Sequence, residues 1–129
     1  MRRALGRADA GALTLSYVII VPVFLAGLMV IVQASVWYLA REAALAAARQ
    51  GADAARVLDA APGTGPRTAV AFARSAAAGY LLRPAASAAG STPGTIEVTV
   101  TGTVPSLIPG LTLTVSQAAQ APAEKFTEP

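Results

Sequence analysis

The sequence predicts a membrane-anchored α+β chain: a long N-terminal transmembrane helix that continues outward, a second short helix, and a C-terminal antiparallel β-hairpin. Three observations carry this. No charged residue occurs between Asp9 and Arg41, and the stretch between them is strongly apolar. A proline and glycine cluster, Ala61-Pro-Gly-Thr-Gly-Pro66, separates two helix-forming segments. After Thr95 the spacing of apolar residues changes from three or four to two, the period of a strand.

The apolar run is long enough to span a bilayer. Twelve Leu, Ile, Val or Phe residues lie between Val18 and Val36, and together they favour the membrane by roughly 4 to 7 kcal/mol on insertion scales. Gln33 and Ser35 oppose this only mildly. The ~20 residues that a ~30 Å hydrocarbon core requires fit within Ser16 to Tyr38. A secretory signal has a shorter apolar core followed by a small-residue cut site. Here the run leads into Trp37, Tyr38 and the pair Arg41-Glu42, which reads as a retained anchor with aromatic residues at the outer interface. Arg2, Arg3 and Arg7 precede the span, while the charges that follow it are balanced. The positive-inside bias therefore places the N-terminus in the cytoplasm and the C-terminal part outside a cytoplasmic membrane crossed once. Pro22 removes a backbone hydrogen bond with Val18 and kinks or loosens the helix inside the bilayer.

From Arg41 to about Ala60 the residues are good helix formers, so the membrane helix continues outward. Ala43, Ala47, Gly51 and Ala55 recur every fourth residue and form a smooth stripe suited to close helix packing, although an alanine-rich segment generates such stripes by chance as well. The Ala61–Pro66 cluster stops the helix. Val70, Ala73, Ala77, Tyr80 and Leu81 then mark a short amphipathic helix at 68–82, and Pro84 to Gly94 is a loop by composition. Ile96, Val98 and Val100 alternate with Glu97, Thr99 and Thr101, as Leu111, Leu113 and Val115 do with Thr112, Thr114 and Ser116. Each pattern is a strand with one wet face, and together they make a hairpin. A hairpin alone is marginal, so its apolar face must lie on the helices. The chain thus divides into a basic cytoplasmic leader, 1–11, a transmembrane helix with exported extension, 12–60, and a small extracytoplasmic α+β domain, 61–129. The last holds the helix at 68–82, strands at 95–104 and 111–117, and a flexible tail.

The composition excludes most catalysis. Histidine and cysteine are absent from the 129 residues, which removes imidazole acid-base chemistry, thiol nucleophiles, disulfides and the usual zinc and iron-sulfur ligands. The exported acids are scattered with no spacing that pairs two carboxylates beside a nucleophile, and the single lysine, Lys125, sits in the tail. Gly63, Gly65, Arg67 and Thr68 superficially resemble a phosphate loop but lack its lysine and preceding strand. The net charge of +3 is a local N-terminal flank and not a nucleic-acid face. No enzyme, cofactor, metal or nucleic-acid partner is expected.

The basic leader, the segment Gly11-Ala-Leu-Thr-Leu-Ser-Tyr-Val-Ile-Ile-Val-Pro22, the long apolar helix and the small C-terminal domain resemble a type IV pilin or pseudopilin. More closely they resemble the TadE-like minor pilins of tight-adherence systems. Gly11 and Pro22 fall on positions of the family pattern. Val98-Thr-Val-Thr-Gly-Thr-Val-Pro105, Leu111-Thr-Leu-Thr-Val115 and Ala-Pro-Ala-Glu-Lys-Phe126 resemble its hairpin and tail. The resemblance implies a pilin-like fold, and cleavage between Gly11 and Ala12 by a prepilin peptidase. It also implies contacts with other pilins and with pilus or secretion machinery proteins, besides membrane lipid. Ser16 stands where the family carries glutamate, and a hydroxyl lacks the charge that a glutamate offers a neighbouring α-amino group. That departure points to a role in assembly or priming at the membrane. The alternative is a signal-anchored extracytoplasmic binding module unrelated to pili.

Overall fold

A computed structural model describes residues 5–125, with side chains at residue 11 and from 13 onward. Arg2, Arg3 and the end of the tail from Phe126 lie outside the described residues. The elements are α1 (Leu5–Ala55), α2 (Thr64–Ala76), β1 (Leu82–Ser87), β2 (Thr95–Val104) and β3 (Leu113–Pro122). The fold is α+β, with a long apolar N-terminal helix, a short second helix and a three-stranded antiparallel sheet of order β1-β2-β3. The chain divides into two compact units, residues 1–34 and 35–129.

The described part of the first unit, from Leu5, is helix alone. Its large apolar side chains from Leu13 to Val32 are exposed, as they must be in a helix that is apolar around its whole circumference and has no core to face. Pro22 lies inside α1. Gln33 is the one buried polar side chain among the described residues, and none of them leaves a buried side-chain polar atom unpaired.

The second unit is a domain whose core is built mainly of alanine and valine. Ala40, Ala44, Ala47, Ala48 and Ala52 on α1 and Ala69, Ala73 and Ala77 at α2 join Val98, Val100, Val104 and Val115 of the sheet. Among the described residues no aromatic ring is fully buried, and backbones approach closely where Gly51 of α1 meets Gly65 of α2. A Cβ on Gly51 would lie 2.6 Å from the Gly65 carbonyl oxygen and 2.9 Å from the Ala69 Cβ. A Cβ on Gly65 would lie 3.0 Å from both the Ala55 Cβ and a Val98 methyl.

The structure moves several expected boundaries. Helix α1 ends at Ala55, short of 60, and Asp59 beyond it takes a left-handed φ of 62°. Helix α2 is not 68–82 but begins at Thr64, inside the Pro-Gly cluster. Pro66 falls in the first turn, where its missing N–H has no intrahelical partner to lose. It stops at Ala76, so Tyr80 and Leu81 lie past its end. Tyr80 donates its hydroxyl to the Ala76 carbonyl at 2.8 Å, and the Leu81 side chain fills the space over Gly102.

The segment Pro84–Gly94, expected as loop, begins as strand: β1 takes in its first four residues, Pro84–Ser87, and the remainder is turn and loop. Ala85, Ala86 and Ser87 pair with Thr101, Val100 and Thr99, and an irregularity between Leu82 and Ala85 takes up Arg83, whose φ is 48°, and Pro84. Proline is tolerated there because β1 is an edge strand. The second strand of the hairpin is Leu113–Pro122, not 111–117. The Gln117–Pro122 part has weak strand propensity, but β2 supplies a partner for each residue down to Thr95. The expected free tail is accordingly docked at its start: Ala123 N–H donates to the Gly94 carbonyl at 3.2 Å and Glu124 N–H to the Arg56 carbonyl at 3.1 Å.

Candidate functional site

The sequence-predicted site residues separate into three places. Gly11 and Ala12 lie in the helical backbone of α1, as do Ser16 and Pro22 one and three turns further on. Gly11, Ser16 and Pro22 are exposed on the first unit, where Gly27 also has no atom beyond the local helix backbone within 4 Å of its would-be Cβ. A bare glycine face on an apolar helix allows a second helix to approach closely.

The alanine stripe has a different fate. Ala47 is fully buried and Gly51 is buried, while Ala43 and Ala55 are half-buried. The stripe is covered by the domain's own α2 and sheet, so Ala47 and Gly51 are not a free surface. Sequence reasoning missed the partners: Gly65 and Ala69, four residues apart on α2, form the matching smooth face. Their spacing was visible, but Gly65 was read as turn chemistry because it sits between two prolines. Gly102 was missed in the same way, since a glycine within an alternating strand gives no sign that Leu81 will occupy its Cβ space.

The third place is the polar outer face of the sheet. Glu97 accepts a hydrogen bond from the Gln120 amide at 2.6 Å, and its backbone N–H donates to the Ser91 hydroxyl at 2.9 Å, which in turn donates to the Glu97 carbonyl. These bonds fasten the loop before β2 to the strand. No base or second carboxylate approaches Glu97, and among the described residues no group of three or more acidic side chains could hold a metal ion. Two shallow clefts flank α2, one of about 270 Å³ between the Ala60–Pro66 loop, Ser91 and Ile96, the other along Arg67, Val70 and Arg74. Neither gathers a catalytic group. Arg67 directs its guanidinium back to the Gly63 and Pro62 carbonyls at 3.3 and 3.4 Å, and Gly65 is buried, so the residues that resembled a phosphate loop close the α1–α2 turn.

What remains as a candidate site is the uncovered apolar helix. Among the described residues it is the one helix long and apolar enough to cross a membrane, and the window that qualifies it has no buried residue. Its side chains offer no reactive group; they offer packing. No curated protein and no solved structure is significantly similar to the chain. Residues 11–53, about a third of the chain, match the family model described as TadE-like protein. That family is a structural, pilus-associated one and not a family of enzymes.

Proposed function

We propose, from a TadE-like segment at residues 11–53, that the chain is a minor pilin or pseudopilin of a tight-adherence system. It is anchored once in the cytoplasmic membrane with its N-terminus inside, and it acts by helix packing against other pilins and the assembly machinery. The observation that carries this reading is the match itself, which begins at Gly11 and covers the whole uncovered helix. The physical support is that the large apolar side chains of α1 from Leu13 to Val32 are exposed, while the alanine stripe beyond is used inside the second unit. A helix in lipid gains little from hydrophobicity on pairing with another helix, because the lipid is equally apolar. Association then depends on close van der Waals approach at small residues such as Gly27. Ser16 in place of a glutamate favours an assembly or priming role over a place in the filament shaft, and leader removal after Gly11 by a prepilin peptidase belongs to the same reading.

The decisive experiment is Gly27→Leu in the native host, read by pilus output and by pull-down of machinery proteins. Apart from the local backbone of the helix itself, no atom among the described residues lies within 4 Å of the new Cβ, so the substitution leaves the protein's own packing intact and obstructs only a neighbour. Loss of association at an unchanged membrane level is expected. Normal pili and normal pull-down with Gly27→Leu reject helix contact at this face. A reporter joined after Pro129 tests orientation: activity of a periplasmic reporter supports the topology, and activity of a cytoplasmic one reverses it.

A further inference from the structure

We propose that the loop between β2 and β3, Leu107-Ile108-Pro109-Gly110-Leu111, is a second membrane contact, seated in the outer interface of the bilayer that the N-terminal helix crosses. The proposal rests on the anchoring reading above and adds a lipid-facing site on the domain.

The position of the loop follows from how β2 runs along α1. A Cβ on Gly51 would lie 3.1 Å from a Val98 methyl, and the N–H of Glu124, which follows the end of β3 paired with Thr95, donates to the Arg56 carbonyl. The start of β2 therefore lies at the far end of α1, and the strand runs back antiparallel to it. From Val98 to Val104 is a rise of about 20 Å, which equals about 13 residues of helix. Counted back from Gly51, the sheet ends level with Tyr38, and the loop lies at or beyond that level. Tyr38 is where the apolar run ends and an outer interface falls.

The exposed apolar side chains collect at this same end. Among the described residues of the domain, the large exposed ones are the α1 residues 37–39, Leu82 opposite Thr103, and Leu107, Ile108 and Leu111 of the loop, with Val57 alone at the other end. A domain so small that its core is alanine and valine has no reason to leave its largest aliphatic residues outside at one end unless something covers them. The cover is lipid rather than protein because the patch includes Trp37, Tyr38 and Leu39, the α1 residues at which the apolar run ends, and because no charged side chain occurs between Glu97 and Glu124.

The loop is also built to enter a poorly hydrated layer. Leu111 N–H donates to the Ile108 carbonyl at 3.2 Å, with Pro109 and Gly110 between them and Gly110 at φ 79°. Proline followed by a residue of positive φ is the signature of a type II turn. Ser106 caps the preceding bend, donating to the Ile108 carbonyl and accepting from the Ile108 N–H. Backbone groups already bonded within the loop cost less to move from water toward hydrocarbon.

The test uses the full chain in vesicles of phosphatidylethanolamine and phosphatidylglycerol, with bromine on the acyl chains near the headgroup. The sequence has one tryptophan, Trp37, and no cysteine, so Trp37 reports the anchor and a fluorophore on Ile108→Cys reports the loop. Both emissions should be quenched to a similar extent, while a label on Val57→Cys is not. A label on Thr112→Cys should likewise be quenched, and lose that quenching when Leu107, Ile108 and Leu111 are serine. Quenched Trp37 with an unquenched loop label overturns the proposal and leaves the anchor standing. A loop label that is blue-shifted but unquenched puts protein against the loop and also overturns it. If Trp37 is unquenched too, the anchoring reading fails and the loop contact with it.

Discussion

The contact between Gly51 and Gly65 can be tested with a single methyl group. In an open helix Gly51→Ala would stabilise by about 1 kcal/mol, because alanine loses less conformational freedom than glycine on entering a helix. Here the added Cβ meets the Gly65 carbonyl oxygen at 2.6 Å, the Ala69 Cβ at 2.9 Å and a Val98 methyl at 3.1 Å. Comfortable carbon contacts begin at about 3.5 Å, so α1 and α2 must separate by about 0.6 to 0.9 Å. The closest atom is backbone and cannot rotate away, which places the overpacking cost near the upper end of the usual range, about 3 kcal/mol. The net expectation is a loss of about 1 to 2 kcal/mol. For a domain of this size each kcal/mol lowers the melting temperature by about 4 to 8 °C. Thermal unfolding of the full chain in detergent, followed by circular dichroism, measures it. Gly79→Ala is the control, since nothing lies within 4 Å of that position, and it should shift stability by no more than about 0.5 kcal/mol. A Gly51→Ala protein that melts as high as the wild type, with the control neutral, refutes the close crossing of α1 and α2.

Gly102→Ala places a methyl where the Leu81 side chain sits, and should cost about 1 to 3 kcal/mol; Leu81→Ala should cost less in that background than in the wild type in the same melting experiment, because Leu81 is the group displaced. Ser16→Glu restores the acid that pilin-like helices carry, at a membrane cost of about 3 kcal/mol for an unpaired carboxylate; processing or pilus output should hold or improve, and loss of output with a silent Ser16→Ala would show the pilin alignment to be wrong here. Replacing Glu97, Thr99 and Thr101 with alanine removes the polar cluster but little packing, so assembly and pull-down should persist. Lost assembly by a folded triple variant would point to a polar site on the sheet.

The sequence by itself determined the long apolar helix, the class of fold and the poverty of reactive groups. An uncharged run of this length, a switch of apolar period at Thr95 and the absence of histidine and cysteine are local facts that no packing can reverse. It also determined β2, where β-branched residues alternate with polar ones over the whole strand. Tertiary structure decided the rest, for reasons that differ by element. Strand β1 and the second half of β3 consist largely of alanine, proline and glutamine and become strands only because β2 offers a ladder to pair with. Helix α2 starts inside a turn-forming cluster because Pro66 falls where a helix has a spare donor. The stripe of Ala47 and Gly51 was legible as a smooth face, but which surface would meet it was not. Small residues announce that something comes close; only the chain's return through Gly65 and Val98 made that neighbour its own domain, and left the apolar helix before it as the surface still uncovered.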